Sequence, residues 1–233
     1  MTGLCQAYLL HQRPYRETSR LLYFLTFEQG RLDAVARGVR GKKGRWSGLL
    51  QPFQLLWLDW SGRGELKTLT RVEPAQSALL LKGKTLFSAM YANEILMRIL
   101  KPGYASEGLF PLYQQLLQRL GQISADETLE TALRYFEFDL LNELGYAIPF
   151  PETAEPETLF YYSSEGSFDC VLQSRGLPLE RCFKASVLDA IAVGRLDSAA
   201  IRQDAKRLAR LALQPLIGER PLKSRDYFRQ YQG

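Results

Sequence analysis

For about its first 75 residues the chain never sustains an apolar period of 3.6. It breaks instead into short runs rich in aromatic and aliphatic residues, each bounded by turn-forming residues, which is the pattern of strands. Leu4–His11 and Leu21–Phe27 are the first two runs, and Glu28-Gln29-Gly30 turns the chain into a third over Arg31–Arg37. There Leu32, Ala34 and Ala36 alternate with Asp33 and Val35. Pro52 marks a new start, Phe53–Trp60 is a fourth run, and Ser61-Gly62-Arg63-Gly64 leads into a fifth over Leu66–Val72.

Five short strands joined by glycine-bearing turns predict a small closed barrel, which leaves no sheet edge exposed. The five-stranded oligonucleotide-binding (OB) barrel fits the length; an SH3-like barrel is the alternative that strand count leaves open. From Leu86 the period changes. Phe87, Tyr91, Ile95 and Ile99 step by four until Lys101-Pro102-Gly103 stops them. Leu109, Leu112, Tyr113, Leu116, Leu117 and Leu120 form a second helical stripe closed by Gly121, and Leu129 to Leu144 a third closed by Gly145. Connections this short predict antiparallel neighbours. Pro149, Pro151 and Pro156 then break the pattern, and Thr158–Ser163 with Phe168–Leu172 read as a small hairpin. Helical pattern returns around Ala185–Val193 and from Ala199 to Leu213. The expected architecture is a multidomain α+β chain. An OB barrel occupies residues 1–80, and a helical domain occupies 81–233, with a hairpin insertion at about 152–176 and a basic helix and tail over 198–233.

The net charge of +5 matters less than its distribution. Residues 1–80 hold 12 Lys and Arg against 6 Asp and Glu, residues 81–201 hold 10 against 16, and residues 202–233 hold 8 against 3. Two basic ends flank an acidic middle, so a polyanion should meet the ends and other partners the middle. The densest basic stretch is Arg37-Gly-Val-Arg40-Gly-Lys42-Lys43-Gly-Arg45, followed by Trp46. Its five cations cannot be desolvated in a core. It is either a solvated hairpin tip or a loop that grips a phosphate backbone.

Enzyme chemistry finds little to stand on. Gly83-Lys84-Thr85 resembles the end of a phosphate-binding loop, but the glycine required five residues earlier is Ala78. His11 is the only histidine, and Cys5, Cys170 and Cys182 are scattered, so no metal set or catalytic dyad is recognisable and no cofactor is expected. A nuclease would need a carboxylate cluster that the sequence does not offer. Unpaired cysteines suit a reducing cytosol. Arg13, Arg16 and Arg20 interrupt any leader-like apolar start, and no apolar run approaches the length of a membrane span.

Nucleic-acid features are more coherent. Arg13 and Arg16 lie in the first strand-to-strand connection and Arg63 in the last, the two connections that flank the ligand groove of an OB barrel. Tyr15, Trp46, Trp57 and Trp60 offer planes on which bases could stack. Core packing is the ordinary reading for Trp57, and Trp46, in a polar loop, is the better stacking candidate. Toward the C-terminus, Ile201, Ala205, Leu208 and Ala212 share one side of a helix, with Arg202, Lys206, Arg207 and Arg210 across the other. That face reads as a second phosphate contact or as a solubilising surface. Between Asp126 and Gly145 the one basic residue is Arg134, bordering the apolar stripe near an outward Phe138. It either pairs with Glu130 at i, i−4 or, beside an exposed aromatic, docks an acidic peptide that ends in an apolar residue.

Several blocks together resemble the RecO family, in its proteobacterial members. They are Arg13-Pro14 with Glu17-Thr18-Ser19, Gly30-Arg31, Val35 to Arg40, Leu50 to Phe53, and Gly62 to Leu69. Tyr91 to Leu96, Ala205-Lys206-Arg207 and Pro221-Leu222-Lys223-Ser224-Arg225 complete the set, in order and over nearly the whole chain. The resemblance implies an N-terminal OB barrel, a helical domain, and a non-enzymatic, cytoplasmic, nucleoid-associated mediator of recombinational DNA repair. Such a protein binds single- and double-stranded DNA, anneals complementary strands, and works with RecR and RecF to load RecA on strands coated by single-stranded DNA-binding protein (SSB). It implies that the acidic SSB tail meets the helical domain, which would assign Arg134 and Phe138 to that contact. Many members hold zinc with four cysteines; here Cys170 and Cys182 alone stand in that region, so no metal is expected. An RNA-binding or ribosome-associated adaptor on the same barrel is the second reading, since both ligands present phosphates to the same cations.

Overall fold

The computed structural model describes residues 3–39, 44–46, 48–123, 126–152, 155–171 and 176–232. They form two compact units, Met1–Gln122 with Pro221–Gly233 and, inserted between these segments, Ile123–Arg220.

The first unit holds a closed barrel of β1 (Cys5–Tyr15), β2 (Ser19–Thr26), β3 (Gly30–Ala36), β4 (Leu55–Ser61) and β5 (Leu66–Pro74). Its strand order is β1-β2-β3-β5-β4, and β4 pairs back to β1. Every pairing is antiparallel except that of β3 with β5. The barrel is of the OB type, with all five strands where the sequence predicts them. Leu22, Phe24, Leu32, Leu56 and Leu58 fill the interior, and Ala7, Ala34 and Ala36 leave room for the rings of Phe24 and Trp60. Trp60, expected as a possible stacking plane, is a core residue.

β1 runs past His11 to Tyr15 because of a bulge between Leu9 and His11. Before it, Cys5, Ala7 and Leu9 point into the core. An extra residue inverts the alternation, so the odd-numbered residues beyond it turn outward: His11 stacks on Tyr23 and Tyr15 joins the outer cluster of Leu21, Tyr23 and Val35.

Helix α1 (Gly83–Ile99) packs against β1, and its C-terminal end reaches the outer face of β2 and β3, where Met97 lies on the Leu21/Tyr23/Val35 cluster. Arg31 secures its end by donating to the carbonyls of Met97 (3.1 Å) and Leu100 (2.7 Å). The following loop approaches β3 so closely that a Cβ on Gly30, at φ +62°, would lie 1.7 Å from the Tyr104 carbonyl oxygen; only glycine fits. Helix α2 (Leu109–Gln122) lays Phe110 and Tyr113 against Tyr8 of β1. In α1, the buried Asn93 donates to the Leu10 carbonyl at the bulge (2.9 Å) and accepts from the Tyr113 hydroxyl.

Glu94, next in the helix, fixes the end of the chain. Its carboxylate accepts from the backbone N–H of Lys223 (3.0 Å), from the N–H and hydroxyl of Ser224 (2.8 Å each) and from Arg98 (2.8 Å). These donors open α6 (Lys223–Gln232), a helix the sequence reading left as tail although Pro221 and Asp226 bracket its start as helix signals. Burial works to raise the Glu94 pKa, but the donors from Ser224, Lys223 and Arg98 outweigh it and hold the carboxyl below its ordinary value of 4.5. A depressed acid stabilises the fold above its unfolded pKa and loses that contribution as pH falls through the folded value. Glu94→Gln should therefore be less stable than the parent near pH 7, with the difference closing in acid. Chemical denaturation at several pH values measures it, and equal stability at pH 7 would refute this role.

The second unit contains α3 (Asp126–Glu143), β6 (Leu159–Tyr162), β7 (Phe168–Cys170), β8 (Cys182–Lys184), α4 (Ala185–Ala192) and α5 (Ala199–Ile217). The expected hairpin is β6 with β7, to which β8 adds a third strand in the order β7-β6-β8. Helix α3 packs on α5. The α5 N-terminus is capped by the Ser198 hydroxyl, which accepts from the Ile201 N–H (3.1 Å). Phe160, Phe183, Leu188, Ala205 and Leu208 form the core of the unit.

Candidate nucleic-acid interface

The barrel register gathers three connections at one rim. Pro14 pairs with Arg20, Arg20 with Ala36, Val35 with Thr68, and Thr68 with Ser61. The ends of β1, β3 and β4 and the starts of β2 and β5 therefore coincide. The β1–β2 turn, the β3–β4 loop and the β4–β5 turn all leave from this end. Arg13, Arg16, Arg37, Arg45 and Arg63, drawn from separate stretches of sequence, all carry exposed side chains there. Arg20 joins them, donating to the Gln12 side-chain oxygen (2.6 Å).

The connections are tied together. Val39 N–H donates to the Thr18 carbonyl (3.0 Å) and Arg45 N–H to the Gly38 carbonyl (2.9 Å). A Cβ on Gly44 would lie 2.6 Å from the Val39 oxygen, so the chain leaves the rim at Val39 and returns at Gly44 in close apposition. Val39 and Leu50 plug the barrel end, with Leu49 and Trp46 packed behind them. Arg40, Lys42 and Lys43, the middle of the basic stretch, lie outside the described residues. Three non-glycine residues have left-handed backbone among those described, Arg16 (φ 52°), Trp46 (φ 60°) and Phe53 (φ 63°). All sit in these connections, and such conformations persist where the surroundings enforce them, commonly at binding sites.

The aromatic residues sort differently from expectation. Trp46 is half-buried against the barrel core, and the Arg45 guanidinium lies 4.3 Å from its ring centroid. Arg45 also donates to the Thr70 carbonyl (2.8 Å). Leu56 and Leu58 point inward, which turns the half-buried Trp57 outward on β4, opposite Gln6 and Glu73. Arg16 stacks over Tyr15, 5.3 Å from its centroid.

The uniform cationic face expected on α5 is not what forms. Arg202 is buried and donates to the carbonyls of Leu196 (3.1 Å) and Asp197 (2.8 Å), fastening the loop before the helix. Arg207 stacks over Phe183 (4.3 Å), donates to the Cys182 carbonyl (2.8 Å) and pairs with Asp204 (2.8 Å). Lys206 reaches Glu130 (3.4 Å), and Arg210 is exposed. The helical wheel missed this because Arg202 turns back onto the loop before the helix, while Lys206 and Arg207 also find partners on α3 and β8, remote in sequence.

Arg134 departs further. Its partner is Glu137, not Glu130: Nε lies 2.7 Å from Oε2, and Nη2 donates to Oε1 at 2.8 Å. The two side chains are 5% and 0% exposed. Phe138, expected to be exposed, packs half-buried against the core of the second unit. The geometry expected for a peptide dock, a cation beside an open aromatic, is absent at this pair because both side chains face the core.

Among the described residues no group of three or more His, Cys, Asp or Glu could hold a metal ion, and no helix is long and apolar enough to cross a membrane. Cys170 is exposed on β7 and Cys182 buried on β8, flanking the central strand β6.

Fold and rim together define an OB-barrel protein whose cations converge on one end of the barrel. Residues 1–78 match the family described as recombination protein O N terminal, and residues 81–226 match recombination protein O C terminal. The chain belongs to the recombination protein O (RecO) family. It is 42% identical to the DNA repair protein RecO of Actinobacillus succinogenes, over 96% of this chain and 94% of the relative. It is 41% identical to the protein of the same name from Vibrio cholerae (98% and 94%) and 41% to that from Proteus mirabilis (99% and 94%).

Proposed function

We propose that this chain is a DNA-binding recombination mediator that binds and anneals single strands and, with RecR and RecF, helps to load RecA onto SSB-coated DNA. The observation that carries the binding half of this reading is the convergence of five exposed arginines on one barrel rim, Arg13 from the paired end of β1 rather than from the connection the sequence suggested, the other four from three connections. Family membership, and relatives named as DNA repair proteins, support the rest. The mechanism is electrostatic. Cations at the rim displace counterions from the backbone, and Trp57 and Tyr15 offer sequence-tolerant planes. Neutralising both strands lowers the repulsion that opposes annealing. No covalent step is involved. The SSB-tail contact expected at Arg134 and Phe138 is carried forward as a role for the surface around α3, with Arg134 engaged by Glu137 within that helix.

Binding of a labelled, unstructured DNA strand, followed across monovalent salt, tests this reading. The logarithm of affinity should fall steeply, by about 0.7 per neutralised phosphate on a logarithmic salt scale. A flat response would remove the electrostatic mechanism. Competition by RNA of equal length separates the alternative adaptor reading: DNA should displace DNA better than RNA does, and the reverse order would favour that alternative.

A further inference from the structure

We propose that a single strand held at the rim continues along the outer side of β1 to the start of α6, where the Lys223 side chain is a phosphate contact. This rests on the single-strand-binding reading above. Ligands of OB barrels commonly lie across β2 and β3, but here Met97 and Arg31 fasten the C-terminal end of α1 on that face. A strand leaving the Arg16 turn meets that helix end on β2 and β3, whereas His11 and Arg13 on β1 are exposed.

The β1 bulge accounts for that exposure. By turning the odd-numbered residues outward, it lines up Tyr15, Arg13 and His11 over about 14 Å, four residues at about 3.4 Å each. Without the bulge these side chains would point toward the barrel interior. The far end of this line meets α6. Asn93 of α1 grips the Leu10 carbonyl, one residue from His11, while its neighbour Glu94 holds the backbone N–H groups of Lys223 and Ser224. Two successive helix residues thus bring His11 and Lys223 to the same place. The His11 pKa agrees with that placement: it is lowered first by burial, then by Arg13 and by Lys223, against an opposing effect of Glu94. The Glu94 charge is itself engaged by the α6 N–H groups and Arg98. The Lys223 side chain is exposed, and it is the backbone of that residue that Glu94 holds.

The test uses the full chain and oligothymidylates of about 5 and about 16 nucleotides, spanning the site sizes of single OB barrels. Lys223→Gln should reduce the salt slope for the longer strand by about 0.7 and weaken its binding about eightfold at about 50 mM salt. The shorter strand, satisfied by the rim, should bind as before. Lys82→Gln serves as a charge-matched control, since Lys82 precedes α1 and lies about 18 Å along the helix from Glu94. The inference is overturned if Lys223→Gln binds the longer strand normally, or if it and Lys82→Gln lose equally for both lengths. A flat salt response in the parent protein would instead fail the DNA-binding reading itself.

Discussion

Arg134→Ala is expected to destabilise the second unit by about 3–5 kcal/mol, the cost of stranding one member of a buried ion pair. The Glu137 carboxylate is fully buried and held to that guanidinium by one charge-assisted hydrogen bond and a second ionic contact at 2.7 Å. Truncating Arg134 removes a charge partner of that buried carboxylate, so part of its desolvation is no longer offset. The double variant Arg134→Leu/Glu137→Leu removes both charges and should regain part of the lost stability, because the buried carboxylate goes together with its guanidinium. Denaturant unfolding of the two variants decides the matter; a single-variant loss below about 1 kcal/mol would show that the pair is relaxed by water. The result also governs how partner-binding measurements are interpreted. A loss of SSB-tail binding in Arg134→Ala reports a disturbed helix unless the double variant loses it too.

The largest effect on nucleic-acid binding is expected from the rim. Replacing Arg13, Arg37 and Arg63 together by glutamine should lower the salt slope by about 2 and reduce single-strand affinity by more than about a hundredfold at about 50 mM salt. All three side chains are exposed, Arg13 on the outer side of β1 and Arg37 and Arg63 in two connections, so neither the barrel interior nor the loop plug of Val39 and Leu50 depends on them. Circular dichroism and the unfolding midpoint should match the parent. Fluorescence anisotropy with a long oligothymidylate measures the affinity, and an unchanged slope would show that the rim arginines are only a solvated collar.

How much of this was legible before the coordinates depended on range. The five strands and the first two helices were legible because each rests on local alternation or a local stripe, and Gly30 and Gly103 mark turns where φ is positive. The convergence of Arg13, Arg37 and Arg63 was legible only in outline, since it requires the register, and register is decided across strands. The bulge at Leu9–His11 gave no compositional sign, yet it decides which side of the barrel Arg13 faces. On α3 the wheel put Arg134 correctly at the edge of the stripe but gave it the wrong glutamate, because Glu137 and Glu130 are both within one turn and packing chooses between them. On α5 the wheel took Arg202 for a surface cation, when its carbonyl partners at Leu196 and Asp197 make it an interior fastening. Strand β8 was missed for a simpler reason: Cys182–Lys184 is only three residues long and is specified by its pairing with Leu159–Tyr161.

Glu94 also bears on how the molecule is made. The first unit is discontinuous in sequence: its barrel and first two helices are synthesised early, but the helix that Glu94 caps arrives only after the whole of Ile123–Arg220. At about 5–20 residues per second, that intervening stretch of roughly a hundred residues takes about 5–20 s to emerge. For that interval the Glu94 carboxylate waits without its α6 donors, and the inserted unit has time to fold first. The part of the protein that begins earliest is therefore completed last.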